Sequence, residues 1–414
     1  MQNGIDYKRT TYHCYISYIV QAIVNNLLPL FFVIFRNNYG IGSDKLGSLI
    51  IINFLIQLFV DTLAARFGDT VGFRASMVGA HFFAAAGLVL AAVLPLVLNN
   101  TFLALCIATV FFAVGGGLIE VVVSPLVDAL TVNKDGTAMS FLHSFYCWGQ
   151  VAVVAISTLL LTLFGSDRWY ILPLIWAVVP FLNAFPFMYL PIPATVSESE
   201  RVPLKTLFKN KTFIIMFLLM VTAGASELAM SQWASFFAER GLGVTKVMGD
   251  LLGPCAFAVL MGLSRVLYGI FGDRLNIEKS MLLCSVLCAA CYLLAGLSKN
   301  PYLGLLGCAV CGFSVGLMWP GTLSLAGKSF CGGTAMFGVL AVAGDLGCSV
   351  GPWLTGMVSA AVENNSTLLN VCKNYGFTAQ QASIKLGLLV AVIFPIITII
   401  CFSIPKKSRK DELL

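Results

Sequence analysis

Two carboxylates, Glu120 and Glu227, lie well inside long apolar runs of the sequence. An ionised side chain in hydrocarbon is costly, so each must be protonated, ion-paired or hydrated, and residues of this kind mark functional sites. A carboxyl group that changes between these states can carry a proton. Gly116 and Ser124 share the helical face of Glu120, because residues four apart lie on one face. We therefore predict that Glu120 is a proton-linked carboxylate that also accepts a hydrogen bond from a ligand hydroxyl.

Several other apolar runs carry polar or aromatic side chains at spacings of three or four residues. Amide, imidazole, hydroxyl and indole groups are those that hydrogen-bond to sugars and stack on them. Taken singly, each polar residue is equally explained by hydrogen bonding between helices, and Asn53 and Gln57 are assigned to that role. Trp233 and Trp319 are equally explained as packing residues. With these alternatives open, the residues predicted to line a substrate cavity are Gln21, Asn25, Asn26, Glu120, His143, Tyr146, Gln150, Glu227, Trp233 and Trp319.

The composition indicates which elements must position these residues. Of the 414 residues, 58% are hydrophobic and 11% are charged, whereas soluble domains carry roughly 25% charged residues. A helix needs roughly 20 apolar residues to span a bilayer, and a spanning backbone must satisfy its own hydrogen bonds. We therefore predict an all-α integral membrane protein. Its twelve predicted transmembrane helices are 12–35, 45–65, 75–97, 102–130, 138–164, 169–191, 212–238, 246–271, 279–297, 302–327, 333–361 and 383–404.

The distribution of basic residues predicts how these helices are oriented. With the N-terminus inside, the cytoplasmic segments hold about twice as many Lys and Arg residues as the outer segments, as the positive-inside rule expects. Both termini are therefore predicted to be cytoplasmic, in a multi-pass protein of the cell membrane. The net charge of +6 is explained by this orientation signal, so no nucleic acid partner is expected.

A repeated tripeptide divides the chain into two halves. The sequence FGD follows the second predicted helix, where it ends at Asp69, and follows the eighth, where it ends at Asp273. The longest internal polar segment lies between the two sets of six helices. We predict an N-terminal bundle over 1–191, a cytoplasmic linker over 192–211 and a C-terminal bundle over 212–414. In transporters built from repeats, the solute binds near the membrane midplane between the halves.

The first FGD loop resembles the loop of the major facilitator superfamily that has the pattern G-x-x-x-D-R-x-G-R-R. It has Thr70 where that pattern has Arg, and the second copy lacks the later G-R. The resemblance implies two pseudo-symmetric six-helix bundles, and it implies that these loops gate the cytoplasmic side through charge contacts. A Gly-Asp pair that ends a helix is also ordinary turn chemistry, but two copies in register favour a gate. The predicted gating residues are Asp61, Asp69, Arg74, Arg265, Asp273 and Arg274.

The fourth predicted helix resembles the fucose–galactose–glucose:proton symporter family, whose pattern there is G-x-x-x-E-x-x-x-N-P. This sequence has Gly116, Glu120, Ser124 and Pro125 at those positions, so Ser replaces the usual Asn. The resemblance covers most of the chain, including the helix 10 segment WPGTLSLAGKSF that begins at Trp319. It implies transport of a sugar by proton symport.

The first predicted helix departs from the same family at one position. Asn25-Asn26-Leu27 is similar to the N-N-L of the family. Fucose-type members carry an aspartate two residues later, which is implied to share proton handling with the glutamate of helix 4. This chain has Pro29 there. Proton coupling would therefore rest on Glu120, with or without Glu227, or would be absent.

Together these features predict a secondary active transporter that works by alternating access. We expect it to import a small polar solute, a sugar or a similar molecule, by proton symport, with Na⁺ left open as the coupling ion. An exporter of amphipathic or cationic compounds remains an alternative, because one fold serves both functions. A transport-inactive membrane receptor is a second alternative, but it would call for a larger soluble segment.

Enzymatic chemistry is not expected from this sequence. His13, His81 and His143 are scattered along the chain, and no metal-ligand or nucleophile cluster is recognisable around them. Cys308 and Cys311 form a CxxC pair inside an apolar run, where we interpret them as small packing residues. We therefore predict a protein without cofactor or metal that works as a monomer in the lipid bilayer.

Overall fold

A computed structural model of the protein describes residues 7–130, 137–192, 208–271, 275–329 and 334–403. Within these ranges, the side chains of 64–71, 125, 128–129, 137–141, 269, 327–329, 334–335 and 337 are not described. Every regular element of the described residues is helical. Eleven helices are long and apolar enough to cross a membrane, and Thr334–Glu363, with 30 residues, supplies the twelfth. The predicted all-α fold with twelve spanning helices is confirmed.

We number the spanning helices in chain order. They are α1 (Lys8–Tyr39), α2 (Ser43–Leu63), α3 (Gly72–Val97), α4 (Thr101–Leu130), α5 (Thr137–Phe164), α6 (Ile171–Tyr189), α7 (Lys211–Gly241), α8 (246–271), α9 (Ile277–Leu297), α10 (301–329), α11 (Thr334–Glu363) and α12 (Ala379–Ser403). Helices α1–α6 form the first half and α7–α12 the second half. The end of the helices that carries the α1–α2 and α11–α12 connections is called the far end. The opposite end, where α1 begins and α12 finishes, is called the near end.

Proline accounts for interruptions in two of the spanning helices. Because proline has no N–H, the carbonyl four residues earlier loses its helical partner. Pro320 frees the carbonyl of Gly316, and α10 is interrupted there, between its segments Pro301–Val315 and Met318–Ser329. Pro395 has the same relation to the break in α12 between Ala379–Val390 and Ile393–Ser403. Interrupted helices of this kind are typical of transporter halves that line a substrate path.

A single glycine turns the chain between α2 and α3. The backbone stays helical through residue 71, and Gly72 then adopts φ 76° and ψ 156°. An L-residue with a side chain avoids this region, whereas glycine enters it without steric cost. The connection that the sequence predicted as a loop is therefore mostly helical backbone with one hinge residue. The side chain of Asp69 lies outside the described residues.

A short helix that the hydropathy pattern did not predict connects α11 to α12. It covers Ser366–Asn374, and the side chain of Asn365 caps it by accepting a hydrogen bond from the Leu368 amide at 3.0 Å. None of its residues is buried, although Leu368 and Val371 are apolar. An amphipathic helix of this kind suits the membrane–water interface, so its mean hydropathy is too low to reveal it.

Helices pack within each half and across the boundary between the halves. In the first half α1 packs on α4, α5 and α6; in the second, α7 packs on α10, α11 and α12. Glycine permits the closest approach, since a Cβ on Gly347 of α11 would overlap the carbonyl oxygen of Val221 in α7. Across the boundary, α2 packs on α11 and α5 packs on α8. These two helix pairs bring the polar faces of the halves together.

Candidate functional site

Three helices of the first half bring a set of carboxamides against one carboxylate. Gln21 of α1 donates through Nε2 to Glu120 Oε2 of α4 at 2.8 Å and to Gln57 Oε1 of α2 at 2.9 Å. Gln57 Nε2 donates in turn to Asn25 Oδ1 at 2.8 Å and to Asn53 Oδ1 at 2.9 Å. We call these five residues the Glu120 cluster. Glu120 itself keeps part of its surface exposed.

Glycines on α4 allow the side chains of this cluster to meet. A Cβ on Gly116 would lie 3.1 Å from Gln21 Oε1, and a Cβ on Gly117 would lie 3.0 Å from the Cα of Gln57. Larger residues at these positions would push α1 and α2 away from α4. Small residues therefore precede Glu120 because three helices approach closely at this level of the bundle.

Asn53 and Gln57 of α2 form hydrogen bonds between helices, as the sequence analysis expected. Asn53 Nδ2 donates to Asn25 Oδ1 at 3.0 Å, and Gln57 bonds to both Asn25 and Gln21. Gln57 is therefore connected to Glu120 through one intervening side chain, that of Gln21, and this position was not predicted from the sequence. The pattern that could have indicated it is the recurrence of Asn53, Gln57 and Asp61 at every fourth residue of α2.

Aromatic side chains of α1 and α5 lie beside the Glu120 cluster. Asn26 Nδ2 donates to the hydroxyl of Tyr146 at 3.2 Å. Tyr18, which the sequence analysis did not assign to the cavity, shares a hydrogen bond with Ser124 at 2.9 Å and contacts the ring of His143 edge to face at 5.1 Å. His143 and Tyr146 both keep part of their surface exposed.

The second half contributes an ion pair, which joins one predicted cavity residue to one predicted gating residue. Arg265 Nη2 of α8 lies 3.3 Å from Glu227 Oε2 of α7. Arg265 Nη1 also donates to the sulfur of Cys147 in α5 at 3.5 Å, across the boundary between the halves. Arg265 therefore lies at the α5–α8 contact beside Glu227. Its repeat counterpart Asp61 lies at a different boundary contact, between α2 and α11.

Two buried donors, one on α8 and one on α5, have no acceptor among the described residues. They are Nε of Arg265 and Nε2 of Gln150. Gln150 is 1% exposed and follows Cys147 on the same face of α5, three residues later. Because buried donors are almost always paired, these two atoms indicate a place where water or a ligand supplies acceptor oxygens.

Pro29 links the two halves through the carbonyl that it leaves free. The N–H that proline lacks would have bonded to the carbonyl of Asn25, four residues earlier in α1. Gln232 of α7 donates through Nε2 to this carbonyl oxygen at 3.0 Å, and a 3₁₀ turn follows over Leu28–Phe31. Pro29, at which the sequence departs from the sugar:proton symporter pattern, therefore leaves a carbonyl free for a hydrogen bond between the halves.

The two tryptophans predicted to line the cavity have mainly packing contacts. Trp233 is 0% exposed, and its indole N–H donates to the carbonyl of Pro352 at 2.9 Å. Its ring lies 5.4 Å from that of Phe32. Trp319 packs against Gly344 of α11 and remains partly exposed. Neither tryptophan contacts the Glu120 cluster in these interactions.

The predicted gating residues fall in different environments. Arg74 of α3 donates to the carbonyls of Phe187, Met188 and Leu190 at 2.8, 2.6 and 2.9 Å, so it caps the C-terminal end of α6 within the first half. Cations are favourable at this end of a helix. The predicted gating residues whose side chains lie outside the described residues are Asp69, Asp273 and Arg274.

Asp61 meets a carboxylate of the other half. It lies within hydrogen-bonding reach of Asp345 of α11, and both are close enough to Glu120 for their charges to interact. Asp61 is 7% exposed and Asp345 is 3% exposed. From the sequence, Asp61 was predicted to belong to the gate, and no site role was predicted for Asp345.

Charged side chains join the two halves at the far end. Arg36 of α1 pairs with Glu363 of α11 at 2.9 Å, and Arg240 of α7 donates to Asn37. Thr158 of α5 donates to Asp250 of α8 at 2.7 Å. We call these three contacts the far-end contacts. These contacts were not predicted from the sequence, because charged residues are common at helix ends and their sequence positions do not show which residues they contact.

Two of the histidines that look scattered in the sequence share one partner. His13 Nδ1 lies 2.7 Å from Asn183 Oδ1, and His81 Nε2 lies 2.9 Å from Asn183 Nδ2. Ser17 contacts the same nitrogen of His81 at 3.1 Å. His13 and His81, which are far apart in the sequence, therefore meet at Asn183, and these hydrogen bonds join α1, α3 and α6. Within the described residues, no group of three His, Cys, Asp or Glu side chains has the geometry of a metal site.

The sequence and the fold are both similar to those of known proteins. Residues 14–352 match the sequence profile of the Major Facilitator Superfamily, and no curated protein matches the chain. At identities this low, the structural likenesses show the fold alone. One similar structure is a bacterial homologue of the human lysosomal transporter Spinster in an inward-facing, occupied conformation, with a TM-score of 0.73, 13% identity and 97% of both chains covered. A second is the E. coli fucose:proton symporter FucP, with a TM-score of 0.64, 14% identity, and 97% of this chain and 100% of that chain covered. A third is the nucleoside transporter NupG, with a TM-score of 0.68, 14% identity, and 95% of this chain and 98% of that chain covered.

Proposed function

The chain belongs to the Major Facilitator Superfamily and is a membrane transporter, and we propose that it imports a small polar solute of the sugar class together with a proton. The two halves would move against each other in the cell membrane, with both termini cytoplasmic and with the solute held between them. Alternating access of this kind is the usual mode of transporters built from two repeated halves. The moving units are the bundles 1–191 and 212–414, which the linker 192–211 joins.

The hydrogen bond from Gln21 to Glu120 is the observation that carries the proposal. It sets a carboxylate within a network of carboxamides at the level where the halves meet. Sugar hydroxyls both donate and accept hydrogen bonds, and carboxamides do the same. Glu120, His143 and Tyr146 all keep exposed surface, so they are the residues of this region that a solute can contact first.

The contrast between two glutamates supports Glu120 as the proton-linked group. Glu227 is paired with Arg265, and a permanent cationic partner stabilises the ionised carboxylate, which opposes its protonation. Among the described residues, no basic side chain forms an ion pair with Glu120, which accepts a hydrogen bond from Gln21. A carboxyl group without a cation in an apolar surrounding can gain or lose a proton as solvent access changes.

Solute oxygens would also satisfy buried donors on both sides of the α5–α8 contact. Arg265 Nε of α8 and Gln150 Nε2 of α5 lack acceptors among the described residues, while Glu120 of α4 offers acceptor oxygens. A hydroxylated solute can bridge these groups. Fucose and nucleosides, the solutes named for two structures of similar fold, are both hydroxylated, so they define the first compounds to test.

Gating is proposed at both ends of the helices. At the far end, the far-end contacts hold the halves together in this conformation. At the near end, we propose that Asp69, Asp273 and Arg274 form contacts when the far end opens. Arg74 would support this gate indirectly by holding the end of α6, and Asp61 and Arg265 would act from boundary contacts deeper in the protein.

Uptake by proteoliposomes tests the proposed function. The purified protein is reconstituted and given an inward pH gradient, with radiolabelled hexoses, deoxyhexoses, amino sugars and nucleosides supplied one at a time. Accumulation that an uncoupler abolishes, and that a Na⁺ gradient without a pH gradient does not produce, is the expected result. Accumulation driven by a Na⁺ gradient alone would show that Na⁺, and not the proton, is the coupling ion.

The same vesicles test the exporter alternative. The excess of acidic groups at the boundary, namely Asp61, Glu120 and Asp345, is the observation that favours a cationic solute. Cationic dyes loaded into the vesicles would then leave in exchange for external protons, while sugars would stay unmoved. That outcome would contradict import of a polar solute and would establish export.

A further inference from the structure

Asp61 of α2 and Asp345 of α11 form a carboxyl pair across the boundary between the halves. Their side chains lie within hydrogen-bonding reach of each other. Both residues are more than nine-tenths buried, with 7% and 3% of their surfaces exposed. An ionised carboxylate has only acceptor oxygens, so two ionised carboxylates in contact cannot hydrogen-bond.

Among the described side chains, the region around this pair has buried acceptors that no donor reaches. Asp61 Oδ1 and Asp345 Oδ2 are each buried without a donor among the described residues, and Gln21 Oε1 is in the same condition. The two N–H groups of the Gln21 carboxamide are already used, one toward Gln57 Oε1 and one toward Glu120 Oε2. Unpaired buried acceptors are rare in folded proteins, so donor hydrogens must come from another source.

Among the described side chains, the charged and titratable groups that face the pair supply no cation. Glu120 of α4 faces both aspartates, and Cys348 of α11 interacts with Asp345. Glu227 of α7 approaches Glu120, but it is paired with Arg265 of α8. In the described part of the chain, the guanidinium is therefore directed to Glu227, and no ion pair involves either aspartate.

We propose that Asp61 and Asp345 bind one proton between them, and that this proton fastens α2 to α11 while the far end is closed. One carboxyl group then carries the O–H and donates it to the other. Loss of the proton leaves two anions in contact in a poorly hydrated place, where like charges repel strongly. The pair is thus a proton site separate from Glu120, and it joins the two halves.

The position of the pair connects it to the closure of the far end. Helices α2 and α11 run antiparallel and also touch at Gly47 and Gly356, where a Cβ on Gly47 would lie 3.3 Å from the Cα of Gly356. With a helical rise of about 1.5 Å per residue, the aspartates lie roughly 15–20 Å from that contact toward the near end. Repulsion at the pair would separate the two helices at this level and weaken the far-end contacts.

A proton shared by the two aspartates fits a cycle of proton symport. Only its place in that cycle rests on the proposed function, whereas the proton site itself does not. A proton entering from the far side would close α2 on α11. The same proton would leave toward the near side, and the repulsion that follows would return the protein to the conformation open at the far end.

Hydrogen–deuterium exchange at the far end tests the proposal without any solute. Purified protein in lipid nanodiscs is labelled over a range of pH, and the rates of peptides covering 36–47 and 353–365 are corrected for the intrinsic pH dependence of amide exchange. In the unsubstituted protein, we expect exchange at the far end to accelerate at least about tenfold between the protonated and ionised forms of the pair.

Asparagine variants replace the shared proton with a permanent donor. In Asp61→Asn or Asp345→Asn, the carboxamide Nδ2 donates to the remaining carboxylate at every pH. The far end should then stay protected across the range, and the acceleration should be lost. Asp167→Asn is the matched control, because Asp167 lies exposed in the α5–α6 connection, and it should keep the behaviour of the unsubstituted protein.

Three results would overturn the proposal. The first is far-end exchange that does not depend on pH in the unsubstituted protein, and the second is a pH dependence that survives in both asparagine variants. The third is protection that follows Na⁺ concentration at constant pH, which would assign a sodium ion to the pair. Glu120→Gln should keep the pH-dependent protection, so failure of proton-driven uptake and failure of this proposal are distinguishable.

Infrared spectroscopy gives a second measurement that needs no variant. Protein labelled with ¹³C at the aspartate side-chain carboxyl is compared with unlabelled protein near neutral pH. A protonated carboxyl stretch that shifts with the aspartate label is expected, because exposed aspartates are ionised at that pH. Absence of any protonated aspartate band would contradict a proton shared by Asp61 and Asp345.

Discussion

Glu120 and Glu227 are the same residue type, and their partners make them different at the residue scale. Glu120 accepts a hydrogen bond from a neutral carboxamide, whereas Glu227 faces a guanidinium. In Glu120→Gln, the carboxamide oxygen can still accept from Gln21, but the side chain can no longer exchange a proton. We expect accumulation driven by a pH gradient to be abolished and exchange of labelled for unlabelled solute to continue.

Parallel assays of gradient-driven uptake and of solute exchange in proteoliposomes measure this difference. Asp167→Asn serves as the control, because it removes an exposed carboxylate far from the cluster. If Glu120→Gln accumulated solute under a pH gradient at the unsubstituted rate, Glu120 would not be the proton-linked residue.

The pair of Arg265 and Glu227 makes a second prediction at the residue scale. Arg265→Met leaves Glu227 without its cation, and breaking a buried ion pair costs about 3–5 kcal/mol of unfolding free energy. The lower end applies here, because the Arg265 side chain is 16% exposed and the contact is 3.3 Å long. Adding Glu227→Gln should restore part of the loss, since an uncharged carboxamide needs no cation.

Thermal unfolding in detergent of the two single variants and the double variant measures this coupling. If Glu227→Gln lowers the unfolding free energy by the same amount in the Arg265→Met variant as in the unsubstituted protein, the two side chains act independently. Arg240→Met offers a comparison, because Arg240 bonds to neutral partners, Asn37 and Gln380. Its loss should be smaller.

Sequence spacing predicted which residues share a helical face but not which residues pair. Gln21 and Asn25 are four residues apart, so their common side of α1 follows from helix geometry. The pairing of Arg265 with Glu227, and the contact of Asp61 with Asp345, depend on how separate helices are placed. No spacing along the chain contains that information, and Asp345 received no role from the sequence for this reason.

At the scale of elements, a glycine of α11 sets the distance to α7. In Gly347→Ala, the new methyl group would overlap the Val221 carbonyl oxygen, and overpacking of this kind costs typically about 1–3 kcal/mol of unfolding free energy. Gly338→Ala is the matched control on the same helix, because a Cβ there meets nothing within 4 Å. Thermal unfolding should show a loss for the first and no loss for the second.

An equal effect of the two alanine substitutions would contradict close packing as the cause. Alanine favours a helix over glycine by roughly 0.5–1 kcal/mol, so Gly338→Ala should be neutral or slightly stabilising. A gain in stability for Gly347→Ala would mean that α7 and α11 are further apart than this packing indicates.

Elements were predictable from the sequence wherever one physical requirement determined them. A span needs a long apolar run, so hydropathy alone located the twelve helices. The helix Ser366–Asn374 escaped because an interfacial helix is half polar and too short to span. The turn at Gly72 escaped because hydropathy does not report backbone conformation, although glycine is the residue that a positive φ favours.

At the scale of the whole molecule, the contacts between the halves fall at two levels. The far end carries an ion pair between partly exposed side chains, Arg36 with Glu363, and hydrogen bonds that include one between the buried Thr158 and Asp250. The level of the Glu120 cluster carries buried polar contacts, including Gln232 with the Asn25 carbonyl. A change of accessible side must break the first set. Under the proposed function, loss of a proton at the second level would favour that break, so the change would depend on the proton gradient.

The ion pair of Arg36 and Glu363 allows this coupling to be tested in isolation. Its side chains are 21% and 23% exposed, so water screens the attraction and the pair should contribute at most about 1 kcal/mol to the closed far end. In Glu363→Gln, we expect exchange of the amides in the α1–α2 connection to accelerate by no more than about fivefold. The double variant Arg36→Glu with Glu363→Arg should restore the unsubstituted rate, because the attraction is regained with reversed signs.

Salt provides the physical control for this prediction. Raising the ionic strength screens partly exposed charges, so the unsubstituted protein should approach the rate of Glu363→Gln in concentrated salt, while Glu363→Gln itself should change little. Lys373→Gln, which removes an exposed charge of the same far end, should leave the exchange rate unchanged at every salt concentration. If the charge-swapped variant stayed as fast as Glu363→Gln, the Arg36–Glu363 attraction would not hold the halves together. Closure of the far end would then rest on the Thr158–Asp250 and Arg240–Asn37 hydrogen bonds and on the packed glycines of α2 and α11.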